Sequence, residues 1–402
     1  MPFDKSFAPT LRFAVMSDIH IDDEDCIEEQ RLAKALADLG ELCSSDGRYE
    51  GLDALVVVGD FASRGTELQM RKVKKLLDGG LPSGARLIMT MGSHEYMSDG
   101  EENALHRFGE IFSLTPDTHE IINGFDFIAV TTTGGCHFDE KKREFAAAEL
   151  EKAAERDGRK PIFFFQHPHI TDTVYGSINW GEDEITDILM NYPQTVDFSG
   201  HSHAPINDPR SAHQRHFSAF GTGTLSYFEL DEFDKAHGTI PPEDGSAAQL
   251  LIVEADAGGR VRVYPYDVLT GHFFPYTWEI DEPWNIDSFK YTDARYVTAE
   301  RPFFENARVS VENITADGCD ITFNQAGGKD RPDSYDIYIL SGDGLVKKHL
   351  NITSRYYLYD MPATLTEHIC GLKTRTEYTV KIVANSFWRT RSDALTARFA
   401  TL

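Results

Sequence analysis

Seven residues of two chemical kinds stand where apolar runs of this sequence end. Asp18 and His20 close LRFAVMSDIH, Asp60 closes VVVGD, His94 follows MTMGS, His167 closes FFFQH, and His201 and His203 lie in FSGHSH. Carboxylates are hard oxygen donors and imidazoles are borderline nitrogen donors, so together they suit a divalent cation such as manganese, iron or zinc. Ligands from distant positions meet at one point only if rigid elements fix them, and the ends of buried strands are such positions. Taken singly each residue has a plainer reading, because an Asp after a strand starts a turn or caps a helix. A lone His at a domain edge is an ordinary satisfied polar residue. The repetition of the pattern is what points to a metal site.

The elements that must position these residues are legible on either side of them. Short runs at 11–17, 53–59, 85–92, 125–133, 161–167 and 195–201 are rich in β-branched and aromatic residues and close on Gly, Ser or Asp. They read as strands buried on both faces. Between them, 26–43, 66–78 and 140–158 carry helical periodicity and strong helix formers, the last ending on Gly158 as a C-cap. In an open parallel sheet the carboxyl ends of the strands converge on one crevice. From about residue 215 the pattern turns to strands alone, at 215–230, 247–256 and 259–268, with a Pro/Gly/Asp-rich connection at 237–245. An aromatic, proline-containing stretch from Phe273 to Phe304 reads as an ordered connector.

Composition bounds the partners. A formal charge of −26 repels a polyanionic backbone, so a long nucleic acid is not expected as a partner. The basic clusters at 71–75 and 141–143 fall on expected helices and read as solvated faces. No apolar run reaches the roughly 18 residues that span a bilayer, and the first residues lack the pattern of a signal peptide, so the expectation is a cytoplasmic chain with no membrane contact. Five cysteines without CxxC spacing read as reduced, mostly buried thiols. A bridge between Cys319 and Cys370 is geometrically conceivable if the two share inward parity on facing strands.

The ordered blocks DIH, GD, GSHE, H and GHSH resemble those of the calcineurin-like metallophosphoesterases, over roughly residues 10–275. The resemblance implies a four-layered α/β sandwich holding two divalent metal ions. It implies a first metal held by Asp18, His20, Asp60 and His203, and a second held by His167 and His201, with Asp60 bridging the two. It also implies a metal-bound hydroxide as nucleophile and His94 near the leaving-group oxygen as proton donor. The family's Asn in the GNHE block coordinates the second metal, and position 93 is Ser here. A shorter neutral hydroxyl is a weaker ligand than an amide oxygen, so Ser93 should weaken the second site and leave the first nearly unchanged. Hydrogen bonding of Ser93 to a substrate phosphate is the lesser reading. Glu95 reads equally as an orienter of His94 or as a surface carboxylate. His169, His213 and His216 could touch substrate, but solvent exposure is the default reading.

Beyond residue 300, strands recur at ARVSVENI, CDITFNQ, SYDIYILS, GLVKKHLNI, EHICGL, EYTVKIVANS and LTARFAT. Leu372 and Tyr378 at tyrosine-corner spacing, followed by Val380, Ile382 and Ala384 in alternation and a closing strand ending in Phe399, resemble a fibronectin type III domain. Phe323 stands on the strand where that family usually places tryptophan. The expected layout is therefore a metallophosphoesterase domain at 1–300 and an all-β sandwich at 301–402, the latter packing structurally more readily than binding a partner or glycan. The leading functional expectation is a phosphoesterase cleaving a small phosphodiester or phosphomonoester, closer to cyclic-nucleotide and small-diester enzymes than to protein phosphatases. The alternative is a weakly active relative that works as a binding protein through its sandwich. A nuclease would require a basic groove that the sequence does not display. Oligomeric state is not encoded in any legible pattern.

Overall fold

A computed structural model describes residues 3–230, 239–305 and 307–402. Residues 237 and 238 of the expected connection at 237–245 lie outside the described residues. The chain forms two compact units, Met1–Leu230 with Glu243–Thr292, and Asp231–Pro242 with Asp293–Leu402.

The first unit begins with β1 (Pro9–Met16), α1 (Ile27–Ser44), β2 (Ala54–Val58), α2 (Glu67–Gly80), β3 (Arg86–Thr90) and α3 (Glu101–Phe112). It continues through β4 (Thr118–Ile122), β5 (Phe125–Ala129), α4 (Glu140–Arg156), β6 (Ile162–Phe165), β7 (His169–Ile170), α5 (Ser177–Trp180), β8 (Gly181–Glu182) and α6 (Thr186–Leu189). The remaining strands are β9 (Thr195–Ser199), β10 (Ala212–Gln214), β11 (Ser218–Gly221), β12 (Gln249–Asp256), β13 (Val261–Asp267), β14 (His272–Phe273) and β15 (Trp278–Ile280). One mixed sheet runs β14-β13-β12-β1-β2-β3, with β15 pairing to β13, and a second runs β10-β11-β9-β6-β5-β4. The parallel sets are β1-β2-β3 in the first and β5-β6-β9-β11 in the second, so the carboxyl ends of the site-bearing strands share one direction within each sheet.

Phenylalanines join the two sheets face to face. Phe13 of β1 meets Phe127, Phe163, Phe165 and Phe198 of the second sheet edge-on, at ring separations of 4.7–6.0 Å. Its alternate neighbours Ala14 and Met16 turn to the other face, where Leu36 and Leu39 of α1, Val73 and Leu77 of α2 and Phe108 of α3 cover them. On the far side α4 buries Ala146, Leu150 and Ala153 against Ile128, Ile162 and Phe164. The order of layers is helix, sheet, sheet, helix, which is the expected calcineurin-like α/β architecture.

Some local expectations fail for identifiable reasons. Helix α3 has no side-chain N-cap, since Gly100 precedes it, and Gly109 interrupts its run of helix formers, so its signal is weak. Helix α4 ends at Arg156 with Asp157 extended, so Gly158 is not the C-cap. The run 215–230 holds only one strand of the principal sheet path beyond β10, Ser218–Gly221. Past it Gly223 takes φ +73° and the chain turns away, the Leu225 N–H donating to the Asp18 carbonyl at 3.2 Å. Part of the supposed connector is sheet, because Trp278–Ile280 pairs with β13.

Among the described residues the second unit contains the short helix α7 (Arg295–Thr298) and seven strands. Strands β16 (Val309–Glu312), β17 (Cys319–Asn324) and β20 (Thr364–Ile369) form one sheet. Strands β18 (Ser334–Ser341), β19 (Val346–Thr353), β21 (Glu377–Asn385) and β22 (Leu395–Ala400) form the other, in the order β19-β18-β21-β22. Ile321 and Phe323 of the first sheet and Tyr335, Ile337, Val380 and Ile382 of the second make its core. The tyrosine corner is present, the Lys373 N–H donating to the Tyr378 hydroxyl oxygen at 2.9 Å. Cys319 is buried while Cys370 is exposed just past the end of β20, so both thiols are free and the conceivable bridge does not exist. Of the five cysteines only Cys43 and Cys319 are buried, fewer than expected.

Candidate metal centre

The loops after β1 and β2 are fastened to each other before any side chain is considered. The Asp18 N–H donates to the Gly59 carbonyl at 3.2 Å, and the Ile19 and His20 N–H groups both donate to the Asp60 carbonyl, at 2.8 and 3.0 Å. From the second sheet, the His201 N–H donates to the Asp18 carboxylate at 3.1–3.2 Å. Asp18, His20, Asp60, His201 and His203 all hold positive φ, between +49° and +73°. Left-handed backbone costs a non-glycine residue on the order of 1–2 kcal/mol, so five such residues at one place are held by their surroundings.

Glycines supply the room. A Cβ on Gly92 would collide with Asp60 Oδ1 and the His167 ring, one on Gly200 with Asp18 and Ser17, and one on Gly59 with His167. Here the backbone approaches the side chains more closely than any other residue allows.

Three groups of donors result, and the atoms within each lie within 4.8 Å of one another. They are Asp18, His20 and His203; His20, Asp60 and His94; and Asp60, His167 and His201. His20 and Asp60 are shared, so the groups form one chain across the junction of the two sheets. Three of the imidazoles are fixed in the same sense. His167 Nδ1 meets the Val58 carbonyl at 2.8 Å, His203 Nδ1 the Tyr227 carbonyl at 3.0 Å, and His94 Nδ1 the Ser63 carbonyl at 2.7 Å. A carbonyl accepts only, so each Nδ1 carries hydrogen and each ring, when neutral, would turn an Nε2 lone pair toward the cluster. His203 Nε2 stands 3.1 Å from His20 Nε2 and 3.4 Å from Asp18 Oδ1. His167 Nε2 stands 3.0 Å from Asp60 Oδ2 and 3.1 Å from His201 Nδ1. Lone pairs and carboxylate oxygens gathered this closely repel one another unless a proton or a metal cation lies between them, so the donor set fits divalent metal ions.

The electrostatics have the same origin. Burial raises the Asp18 carboxyl and lowers His20. It also lowers His201, to about 3, with repulsion from His167 adding to the effect. Burial works against charge at both Asp60 and His167, yet their mutual attraction wins, taking Asp60 well below the carboxylate range and His167 up to about 10. A carboxylate field that holds a proton on a buried imidazole also favours a metal cation in its place.

Neither reading of Glu95 holds. It is fully buried and accepts N–H groups from Asp60, Ala62 and Gly92 at 2.9, 2.9 and 2.7 Å. It therefore clamps the backbone beneath Asp60 rather than the His94 ring, while burial and the Asp60 charge push its own carboxyl up to about 8. His169 and His213 are buried, and only His216 is exposed as expected. His169 lies between Ser199 Oγ at 2.8 Å and Ser202 Oγ at 2.7 Å, bracing the loop that carries His201 and His203. The sequence signal for it was its spacing of two from His167 on a short buried strand.

Ser93 stands at the site. Its Oγ is 3.4 Å from Asp60 Oδ2, and the next residue's N–H, that of His94, donates to Asp60 Oδ1 at 2.8 Å. The hydroxyl thus borders the Asp60, His167 and His201 group from the side of β3.

Residues 11–205 match the family profile of the calcineurin-like phosphoesterases. That span is just under half of the chain and contains every candidate residue from Asp18 to His203. No curated protein matches the chain. Among solved structures it is similar to a computationally redesigned β-sandwich protein, at 21% identity over 26% of this chain and 96% of that one, with a TM-score of 0.20. It is also similar to a fibronectin type III domain of human collagen XX, at 16% identity over 26% of this chain and 93% of that one, again with a TM-score of 0.20. Among the described residues no helix is long and apolar enough to cross a membrane.

Proposed function

We propose that this protein is a metal-dependent phosphoesterase acting on a small phosphodiester, a cyclic nucleotide or similar compact ester, in preference to a phosphomonoester. The observation that carries the reading is the set of backbone carbonyls that fix His167, His203 and His94 with Nε2 turned inward beside Asp18 and Asp60. In this reading Asp18, His20 and His203 would hold one ion, His167 and His201 with Ser93 would hold the other, and Asp60 would be available to both. When bound, two such ions acidify a water and neutralise charge on the phosphoryl oxygens. The chain's own residues do the rest. The His94 Nδ1–H is committed to the Ser63 carbonyl, which leaves Nε2 to face the departing ester oxygen, and it would donate there as the imidazolium after taking up a proton from solvent. Its main-chain N–H stays on Asp60, so the ring and the shared carboxylate keep a fixed relation.

A small substrate agrees with the charge of −26. The two basic clusters support the same view. Lys72 pairs with Glu29, Lys142 with Asp117 and Arg143 with Asp187, so these cations are engaged with the protein's own acids. The sandwich is proposed to have a structural rather than a ligand-binding part. The competing reading, a feeble relative whose sandwich does the binding, draws on the neutral Ser93 hydroxyl.

The test is hydrolysis of bis-p-nitrophenyl phosphate and p-nitrophenyl phosphate by chelator-stripped protein before and after adding manganese. Turnover restored by manganese, faster on the diester, is expected. No turnover of either ester at saturating manganese would favour the feeble relative.

A further inference from the structure

The loop that follows β5 reaches the Asp60, His167 and His201 group from outside. Thr132 Oγ1 donates to the Gly135 carbonyl at 2.8 Å and the Thr133 N–H donates to the His137 carbonyl at 2.6 Å, closing a tight turn. Gly134 and Gly135 hold φ of +62° and +116°, and a Cβ on Gly135 would stand only 2.9 Å from Ser93 Cα. The loop is pressed against Ser93, and its next residue, half-buried Cys136, places Sγ 3.7 Å from His201 Nε2.

That contact is to the other nitrogen of the His201 ring from the one that faces His167. The Nδ1 atom faces His167 Nε2 at 3.1 Å, on the side of the donor group, whereas Nε2 meets Cys136 Sγ. Cys136 is not among the atoms of that group, so it is no ligand in this geometry. Its effect must pass through His201. A neutral imidazole has one N–H, and Nδ1 can offer a lone pair to a cation only if the hydrogen is on Nε2. That hydrogen then points at Cys136 Sγ, which accepts it.

We infer that Cys136 is a positioning residue for the second cation, holding His201 in the tautomer and orientation that present Nδ1 to it. This rests on the two-cation reading above. His167, His203 and His94 each have a carbonyl oxygen in the equivalent role, and sulfur is the weaker acceptor. His201 therefore has the weakest outer hydrogen bond of the four rings, and in this reading it would share its cation with Ser93. The second cation depends on the loop at 132–137 more than the first does.

The experiment is calorimetric titration of chelator-stripped protein with manganese alone, for the wild type, Cys136→Ala and Cys136→Ser, with circular dichroism to compare folding. Loss of an outer hydrogen-bond partner weakens metal binding by about 10- to 100-fold, and a weak acceptor belongs at the lower end. Cys136→Ala is expected to weaken the second binding step about tenfold and leave the first unchanged. Cys136→Ser, which keeps an acceptor, is expected to recover most of that loss. An unchanged second step in Cys136→Ala overturns the inference while leaving the phosphoesterase reading intact, as does equal weakening of both steps or equal loss in both variants. A wild-type chain that takes up fewer than two ions overturns the two-cation reading and this inference with it.

Discussion

The strand ends around Asp60 and the interior of the C-terminal sandwich are both buried, and they treat polarity in opposite ways. Around Asp60 the chain buries Asp18, His20, Asp60, His167 and His203, with five candidate ligands in left-handed backbone. In the sandwich the apolar core includes Ile321, Phe323, Ile337, Val380 and Ile382, and the Tyr335 and Tyr378 hydroxyls each accept a main-chain N–H, from Ala326 at 2.7 Å and Lys373 at 2.9 Å. One region concentrates charge and strain that lower stability, while the other leaves its tyrosines satisfied and its core apolar. Strain kept at one place by its surroundings points to a functional site, and among the described residues none of the sandwich core holds positive φ.

Breaking the contrast on the polar side should have the largest effect. Asp60→Asn keeps the size but removes the charge that both groups share. It should lower kcat on bis-p-nitrophenyl phosphate by at least about 1000-fold, in line with loss of a central catalytic charge, and reduce bound metal. Activity within tenfold of wild type would show that the carboxylate is not shared. On the apolar side, Ile382→Ala should cost about 2–5 kcal/mol in chemical denaturation of the C-terminal unit and leave the metal count unchanged. A fall in metal content would mean that the two regions are not separable.

Asp197 sharpens the comparison, because it is a buried carboxyl in the first unit but not one of the donors. It is fully buried, burial pushes it up to about 8, and its Oδ1 accepts from Gln166 Nε2 at 3.2 Å. The folded chain keeps this proton between pH 3.8 and 8 while the unfolded chain loses it. Its contribution is therefore full below pH 3.8 and is lost as pH rises toward 8, at about 1.4 kcal/mol per unit. Asp197→Asn should flatten the fall of Tm over that range, and an unaltered slope would contradict a retained proton. The smallest effect expected is from Ser93→Asn. An amide oxygen in place of the hydroxyl should tighten the second manganese step several-fold, read by titration; an unchanged step would mean that Ser93 does not border the second cation.

The fold was legible wherever burial on both faces left a plain mark. Runs such as ALVVV and IFFF have no reading other than an inner strand once helical segments flank them, and the polar residues closing them fall at one edge by topology alone. What stayed hidden depends on contacts that periodicity does not encode. Positive φ at Asp18 and His203 follows from loops being fastened across two sheets. The partners of Glu95 are main-chain groups 33 and 35 residues away in sequence as well as Gly92 nearby. His169 carries no mark beyond its spacing from His167, because nothing in the sequence pairs it with Ser199 and Ser202. Helix α3 lacked both a cap and an uninterrupted run of helix formers.

The central claim is that two cations share Asp60. It is tested most directly by anomalous diffraction from crystals grown with manganese, measured on either side of the manganese edge. The account predicts two anomalous peaks flanking Asp60, one against Asp18, His20 and His203 and the other against His167 and His201. A single peak, or two peaks of which neither touches Asp60, would contradict it.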